Sequence, residues 1–175
     1  MKAVVASVLL AATLGSAEER VPDALGLMVM LKVVSYDTAF ASHGSGDFVV
    51  LVPYAPGQEA RANAIAAIGA GLEVKTIKER SLHFMATPLA ELDSKKGSAV
   101  LLYFGFPAEA LKTALEKARS AKLYVLAFEE EPVREGALLG VALSNGKPQP
   151  LVNVAAARAL GADFGPVLRL ARTFQ

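Results

Sequence analysis

Phe48-Val49-Val50-Leu51-Val52, residues 48–52, decides the fold, because five consecutive apolar residues indicate a short β-strand that is covered on both faces. A break at Gly44-Ser45-Gly46-Asp47 precedes this run. Strands buried on both faces occur inside parallel sheets that carry helices on either side. The run therefore predicts a central parallel strand.

Two further apolar runs, residues 99–103 and 123–128, have the same character and predict two more buried strands. The segments before and between these strands have apolar residues at helical spacing. The predicted helices cover residues 22–43, 58–70, 89–92 and 108–121. Because strands alternate with helices in a βαβαβ order, we expect a parallel sheet within an α/β fold.

The remaining segments predict the margins of this sheet. Residues 72–77 alternate apolar and polar as an edge strand does, and residues 82–86 could continue or replace them. Residues 138–143 and 149–152 flank an Asn-Gly pair, which predicts an antiparallel hairpin with a type I′ turn. Asn153 is placed to cap a helix over residues 154–160, and Asp163 to cap a last helix that carries Val167 to Ala171.

Length and composition favour one globular domain behind a secretory signal. The chain has 175 residues, of which 53% are hydrophobic and 20% charged, and this suits a domain with a sizeable core. Residues 1–17 combine a positive start, a short apolar stretch and small residues, the pattern of a signal peptide removed on export. We therefore expect a signal at residues 1–17 and a single domain at residues 18–175.

Charge and cysteine content exclude several classes of function. The chain carries 18 basic and 17 acidic residues, so removal of Lys2 with the signal would leave 17 of each. Because nucleic-acid binding normally needs a net basic face, no nucleic-acid partner is expected. The chain has no cysteine, which excludes disulfides, thiolate nucleophiles and cysteine-ligated metals.

Three loops are candidates for a binding site, since an open α/β sheet offers ligands the crevice beyond the carboxyl ends of its strands. These loops are residues 53–57, 104–107 and 129–132. Tyr54, Phe104 and Phe106 could stack on a flat ligand, and Glu129 with its acidic neighbours could receive a cation. The alternative is that all three are ordinary strand-to-helix turns with a solvated acidic run.

No motif points to catalysis or to a metal. The two histidines, His43 and His83, belong to no metal-binding motif, and no serine lies in a G-x-S-x-G turn after a strand. We therefore predict no catalytic residue, no cofactor and no metal, and expect the protein not to be an enzyme.

Five stretches of the chain form a pattern that resembles a known family. They are Gly140-Val141-Ala142-Leu143, Asn145-Gly146, Leu151-Val152-Asn153-Val154-Ala155-Ala156-Ala157-Arg158, Val167-Leu168-Arg169-Leu170-Ala171 and Leu31-Lys32-Val33-Val34-Ser35-Tyr36-Asp37. The closing hairpin, the helix that follows and the apolar ending are similar to those of the YfiR-like (YfiR/HmsC) periplasmic proteins, and a Tyr-Asp pair closes the first helix as in one branch of that family. The resemblance covers nearly all of residues 18–175.

This resemblance implies a Rossmann-like three-layer sandwich, with a mostly parallel sheet and a C-terminal antiparallel hairpin. It also implies a periplasmic sensor or regulatory protein that binds and restrains a membrane signalling partner, typically a diguanylate cyclase. The expected partner is thus an inner-membrane cyclase or kinase, with an outer-membrane component as the alternative and a homodimer among the candidate assemblies. The alternative function is a periplasmic small-ligand-binding or transport accessory protein.

Overall fold

Pairing of the buried apolar runs organises the fold, which a computed structural model describes for residues 20–175. The α-helices are α1 (Asp23–Val34), α2 (Glu59–Ala70), α3 (Ala108–Ser120), α4 (Glu130–Arg134) and α5 (Val154–Leu160). The strands are β1 (Phe48–Tyr54), β2 (Thr76–Ile77), β3 (Arg80–Pro88), β4 (Ala99–Leu102), β5 (Tyr124–Ala127), β6 (Leu139–Ser144), β7 (Lys147–Asn153) and β8 (Arg172–Phe174). Single 3₁₀ turns cover Phe40–His43 and Leu89–Glu91. The predicted signal, residues 1–17, lies outside the described residues.

The eight strands form one sheet in the order β2-β3-β1-β4-β5-β6-β7-β8. Strands β3, β1, β4, β5 and β6 are parallel to one another, whereas β2 is antiparallel to β3, and β6 and β7 form an antiparallel hairpin. This confirms the predicted α/β fold, a Rossmann-like sandwich with a mostly parallel sheet. None of the helices within residues 20–175 is long and apolar enough to cross a bilayer.

Two hydrophobic cores lie on opposite faces of the sheet, because successive side chains of a strand point to opposite sides. Val50 of β1 and Leu101 of β4 belong to the core shared with α1 and α2. Leu51 and Leu102, each the next residue along, belong to the core shared with α3. The sheet is thus the middle layer of three, as expected for strands that are apolar at every position.

Of the two segments that could form the strand at the sheet margin, residues 82–86 form the main strand and residues 72–77 contribute little. Residues 82–86 lie inside β3, which pairs with β1 along its whole second part, from Leu82 to Pro88. Of residues 72–77, only Thr76 and Ile77 form a strand, the short edge strand β2. Lys78 and Glu79 turn the chain between these strands with positive φ angles of 44° and 71°.

The C-terminal hairpin and the cap that follows it were predicted correctly. Asn145 and Gly146 have φ angles of 52° and 72°, the positive values that a type I′ turn requires. The Asn153 side chain accepts a hydrogen bond of 2.8 Å from the N–H of Ala156 and so caps α5. Gly161, at φ 81°, ends α5 in the left-handed conformation.

The first predicted helix ends earlier than its apolar spacing indicated. Residues 22–43 were expected to form one helix, whereas α1 ends at Val34. The reason is Asp37, whose carboxylate turns inward and accepts the N–H of Ala39 at 2.9 Å. A short acidic side chain that bonds the backbone two residues ahead stabilises a turn against the helix.

The last predicted helix does not form. Asp163 was expected to cap a helix carrying Val167, but its carboxylate instead accepts the N–H of Gly165 two residues ahead, at 3.0 Å. Pro166 disfavours the helical conformation of the residue before it. Consecutive turns follow over residues 165–170, and the chain ends in β8, a strand that the sequence pattern did not predict.

Candidate functional site

The carboxyl edge of the sheet brings together the three predicted loops, since β1, β4 and β5 are neighbours in the sheet and all end there. Glu129 joins two of them, because its Oε2 accepts the N–H of Gly105 at 3.0 Å. Glu130, which belongs to α4 and not to a loop, is paired with Arg134 and Arg172. These carboxylates thus bind groups of the chain itself, which lowers their capacity for a cation.

The three aromatic rings of this edge do not share one cavity. The Phe104 ring lies 4.5 Å from the guanidinium carbon of Arg20, and Phe106 packs edge-on against Tyr103 with ring centres 5.3 Å apart. Tyr54 lines a separate apolar depression of about 380 Å³ that also contacts Pro88. The structure therefore gives Tyr54, Phe104 and Phe106 separate surroundings.

Tyr103 is the residue at this edge that the sequence analysis missed. It is 1% exposed, and its hydroxyl has no hydrogen-bond partner within residues 20–175. Burial raises the pKa of the Tyr103 phenol, and the Arg61 guanidinium opposes this shift. Arg61 and Arg20 both approach the Asp23 carboxylate, at 3.6 Å and 2.9 Å. A buried hydroxyl without a partner thus lies close to a charged cluster at the starts of α1 and α2.

A second polar group, the Asp37 cluster, lies at the opposite, amino edge of the sheet and consists of Asp37, Tyr124, His43 and the backbone of Ala39 and Asp163. The Tyr124 hydroxyl donates to Asp37 Oδ2 at 2.5 Å, and the N–H of Asp163 donates to Oδ1 at 2.8 Å. His43 Nε2 lies 3.5 Å from Oδ2. Burial and the Asp37 carboxylate both raise the pKa of Tyr124, so the phenol remains a donor.

The Asp37 cluster has a structural role, because its side chains are buried. Asp37 is 0% and Tyr124 1% exposed, so a substrate has no route to the carboxylate or the phenol. Arg80 seals the neighbouring strand starts, with its guanidinium carbon 5.3 Å from the Phe40 ring and 5.2 Å from the Phe48 ring. His83 is elsewhere, paired with exposed Asp47, and residues 20–175 contain no cluster of three metal-ligating side chains.

A wide apolar opening on the surface, which we call the α1 groove, runs between α1 and the C-terminal turns. Its volume is about 490 Å³. Leu170 is 75% and Tyr36 45% exposed beside it, although both are large side chains that contain apolar groups. The lining residues are Met28, Val29, Lys32, Val33, Tyr36, Pro150, Pro166, Val167 and Leu170. No sequence pattern identified this groove, because its lining residues come from separate segments of the chain.

Comparisons with known proteins support the fold. No family model and no curated protein matches the chain. A conserved domain protein from Vibrio cholerae O1 biovar El Tor has a similar structure, with a TM-score of 0.60, 15% identity and 88% of this chain covered. An ABC domain from Streptococcus pneumonia, solved in complex with L-Trp, gives a TM-score of 0.58, 14% identity and 87% coverage. The chain spans 60% of the length of either protein.

Proposed function

We propose that this protein is a periplasmic regulatory protein without enzymatic activity, which binds and restrains an inner-membrane signalling partner of the diguanylate cyclase type. The observation that carries the proposal is the α1 groove, an exposed apolar surface on a domain that has ample core elsewhere. Contiguous exposed apolar patches are typical of protein interaction sites. The similarity to YfiR-like proteins supports the periplasmic location and the type of partner.

Energetics favour a protein segment as occupant of the α1 groove. Leu170 is 75% exposed, and full burial of such a side chain contributes about 1.5–3 kcal/mol. Met28, at 38% exposure, lies along the same groove. An apolar segment that covers both side chains would gain several such contributions, which are the usual source of affinity at the centre of an interface.

Charge indicates which apolar segment fits. Lys32 lies on the groove, with its Nζ 5.0 Å from the centre of the Tyr36 ring, and it forms no ion pair with another residue in the described range 20–175. A carboxylate of the partner that reached Lys32 would complete its pairing and fix the register of binding. The partner surface we propose is therefore apolar with an acidic residue at its margin.

Binding is favoured over catalysis by the enclosure of Asp37, Tyr124 and His43. The carboxylate of Asp37 and the phenol of Tyr124 are committed to each other and to backbone groups. A general acid or base must reach the proton it transfers, at hydrogen-bond distance or through one water. The Asp37 cluster cannot meet this requirement without opening the core.

Replacing Leu170 with glutamate is the experiment that tests this function. In cells that lack the native gene, the wild-type protein should lower cyclic di-GMP, and Leu170→Glu should fail to do so although it accumulates normally. The physical reason is that a charge in the groove must be desolvated when the partner binds. The matched control is Ala90→Glu, an exposed position in the turn Leu89–Glu91, which should behave as wild type. Equal cyclic di-GMP with Leu170→Glu and wild type would contradict the proposal.

A second function, binding of a small ligand at the carboxyl edge, is favoured by the free hydroxyl of Tyr103. A buried hydroxyl without a partner is costly, at about 1–3 kcal/mol, and a ligand that bonds to it would remove this cost. Arg61, close enough to influence the Tyr103 pKa, would attract an anionic group of such a ligand. An ABC domain of similar fold was solved in complex with L-Trp, which is a small carboxylate of the class we propose as ligand.

Thermal melting in the presence of amino acids and small carboxylates tests this second function. A ligand present at about 100 times its dissociation constant adds about 2.7 kcal/mol, which corresponds to about 5–10 °C for a domain of this size. The shift should largely disappear in Tyr103→Phe and persist in Tyr36→Phe, whose ring lies on the α1 groove. A panel that leaves the wild-type melting temperature unchanged, or a shift that Tyr103→Phe retains, would exclude this site.

A further inference from the structure

Strand β3 has an outer edge that β2 covers only at its start. Strand β2 pairs with Arg80 and Ser81, and the carbonyl of Lys75 accepts the N–H of Leu82 at 2.9 Å. The inner edge of β3, by contrast, pairs with β1 as far as Pro88. Within residues 20–175, no strand pairs with the outer edge of residues 83–88.

Backbone N–H and C=O groups of a strand point to the two sides at alternate residues, and this shows which groups lie free on the outer edge of β3. Since the Leu82 N–H points outward, the N–H and C=O groups of Phe84 and Ala86 point outward as well. Natural sheets protect such edges with charged side chains, with proline or with bulges. Residues 82–87 contain neither lysine, acidic residue nor proline. Two donors and two acceptors are thus available in a row, without the usual protection.

We infer that β3 pairs antiparallel with β3 of a second copy of this chain, across a two-fold axis that passes beside Met85. In this register Phe84 of one copy faces Ala86 of the other, and each pair exchanges two hydrogen bonds. Met85 is 40% exposed on the other face of the strand and would contact its own symmetry mate. Residues directly opposite each other in a non-hydrogen-bonded pair have Cβ atoms about 4.5–5.5 Å apart. The pairing therefore buries an apolar side chain that the single chain leaves exposed.

Helix α2 favours a second copy over an isolated peptide strand. It packs on β3, where Gly69 lies against the Phe84 ring, and it runs antiparallel to β3 as the connection of a β-α-β unit. Arg61 reaches Asp23 of α1, so the opposite side of α2 faces the open edge. The helical period places Glu59, Asn63, Ala66 and Ala70 on that side. The two alanines of this side leave room for a second α2 at the short distance that pairing of the β3 strands imposes.

Charges at the two ends of α2 complement each other in the same arrangement. Glu59 lies in the first turn of α2, and Lys75 lies beyond its last turn, with Nζ bonded to the carbonyl of Ala70 at 2.8 Å. A two-fold axis perpendicular to β3 sets the two α2 helices antiparallel. It thus brings Glu59 of each copy toward Lys75 of the other, and opposite ends of the helix dipoles together. This dimer goes beyond the proposed function and does not depend on the α1 groove.

Single cysteines test the register, because the chain has no cysteine of its own. The full chain carrying Met85→Cys should form a disulfide-linked dimer under mild oxidation, since the two Cβ atoms meet at the axis. His83→Cys is the matched control: it is also exposed and on the same face, but it would oppose Thr87, with its own mate about 13 Å away. Cross-linking of Met85→Cys should therefore be much faster than that of His83→Cys.

Analytical ultracentrifugation provides the second measurement. Met85→Lys places two like charges at the axis, and the dissociation constant of the dimer should rise about tenfold or more. Faster cross-linking at position 85 together with this weakening would establish the β3 interface. Equal cross-linking at positions 83 and 85, a dimer that Met85→Lys leaves intact, or a wild-type protein that stays monomeric throughout would each overturn it.

Discussion

Replacing Asp37 with alanine is expected to destabilise the domain by about 3–5 kcal/mol, because several buried or constrained donors lose their acceptor at once. The carboxylate accepts hydrogen bonds from the Tyr124 hydroxyl and from the N–H groups of Ala39 and Asp163. All three donors would remain buried or constrained without an acceptor, and each such group costs about 1–3 kcal/mol. Urea denaturation followed by circular dichroism measures the loss.

Asp47 provides the matched control for this prediction. It is an exposed aspartate whose carboxylate lies 3.5 Å from His83, so Asp47→Ala should change stability by less than about 0.5 kcal/mol. Tyr124→Phe keeps the ring and removes one of the three donors, and it should fall between the two. If Asp37→Ala unfolds at the same urea concentration as Asp47→Ala, the Asp37 cluster does not hold the amino edge together.

Replacing Asn153 with alanine should destabilise the protein by about 2–4 kcal/mol, because this side chain makes two separate connections. Its Oδ1 caps α5 through the N–H of Ala156, and loss of such a cap costs about 1 kcal/mol. Its Nδ2 donates to the carbonyl of Val133 at 2.8 Å, and without it that carbonyl would keep only the longer bond from the N–H of Gly136, at 3.3 Å. Chemical denaturation again provides the measurement.

Two substitutions separate the connections of Asn153. Asn153→Ser retains a capping oxygen and loses the amide donor, and should cost less than Asn153→Ala. Asn153→Asp retains the cap but turns a carboxylate toward the carbonyl of Val133, so it should remain clearly destabilising. If both variants matched wild type in stability, the bond from Asn153 to the carbonyl of Val133 would not contribute to stability as predicted.

The parts of the fold that the sequence predicted are those set by local chemistry. Runs such as residues 48–52 are apolar at every position, and only a strand between two layers of helices buries such a run on both faces. Asn145-Gly146 predicted its turn because few other residue pairs adopt two successive positive φ angles. The cap at Asn153 was predictable for a similar reason, since the bond to Ala156 spans three residues.

The parts that were predicted wrongly depend on bonds between distant residues. The helix over residues 22–43 ended early because the Asp37 carboxylate turns inward, where it bonds Tyr124, 87 residues away, as well as the nearby N–H of Ala39. The last helix failed partly because Asp163 accepts the hydroxyl of Thr38, across 125 residues. The spacing of apolar residues reports the local conformation of a segment, and it does not indicate which distant residues that segment will contact.

The candidate site was predictable in its place but not in its chemistry. Tyr54, Phe104, Phe106 and Glu129 all lie at the carboxyl edge, as the strand order requires. Whether they share a cavity depends on rotamers and on outside groups, such as Arg20 over Phe104. Tyr103 escaped notice because its position at the end of a buried strand resembles that of any core tyrosine.

The Asp37 cluster can be completed only at a late stage of synthesis. Asp37 bonds the backbone of Asp163, 126 residues later, and β7 and β8 are added to the sheet last along the chain. During synthesis, the Asp37 carboxylate therefore lacks one of its donors, the N–H of Asp163, until most of the chain has been made. Contacts of such long sequence separation slow folding. A nascent chain would therefore complete the amino edge of its sheet only in the last stage of its synthesis, once Asp163 is present to bond Asp37.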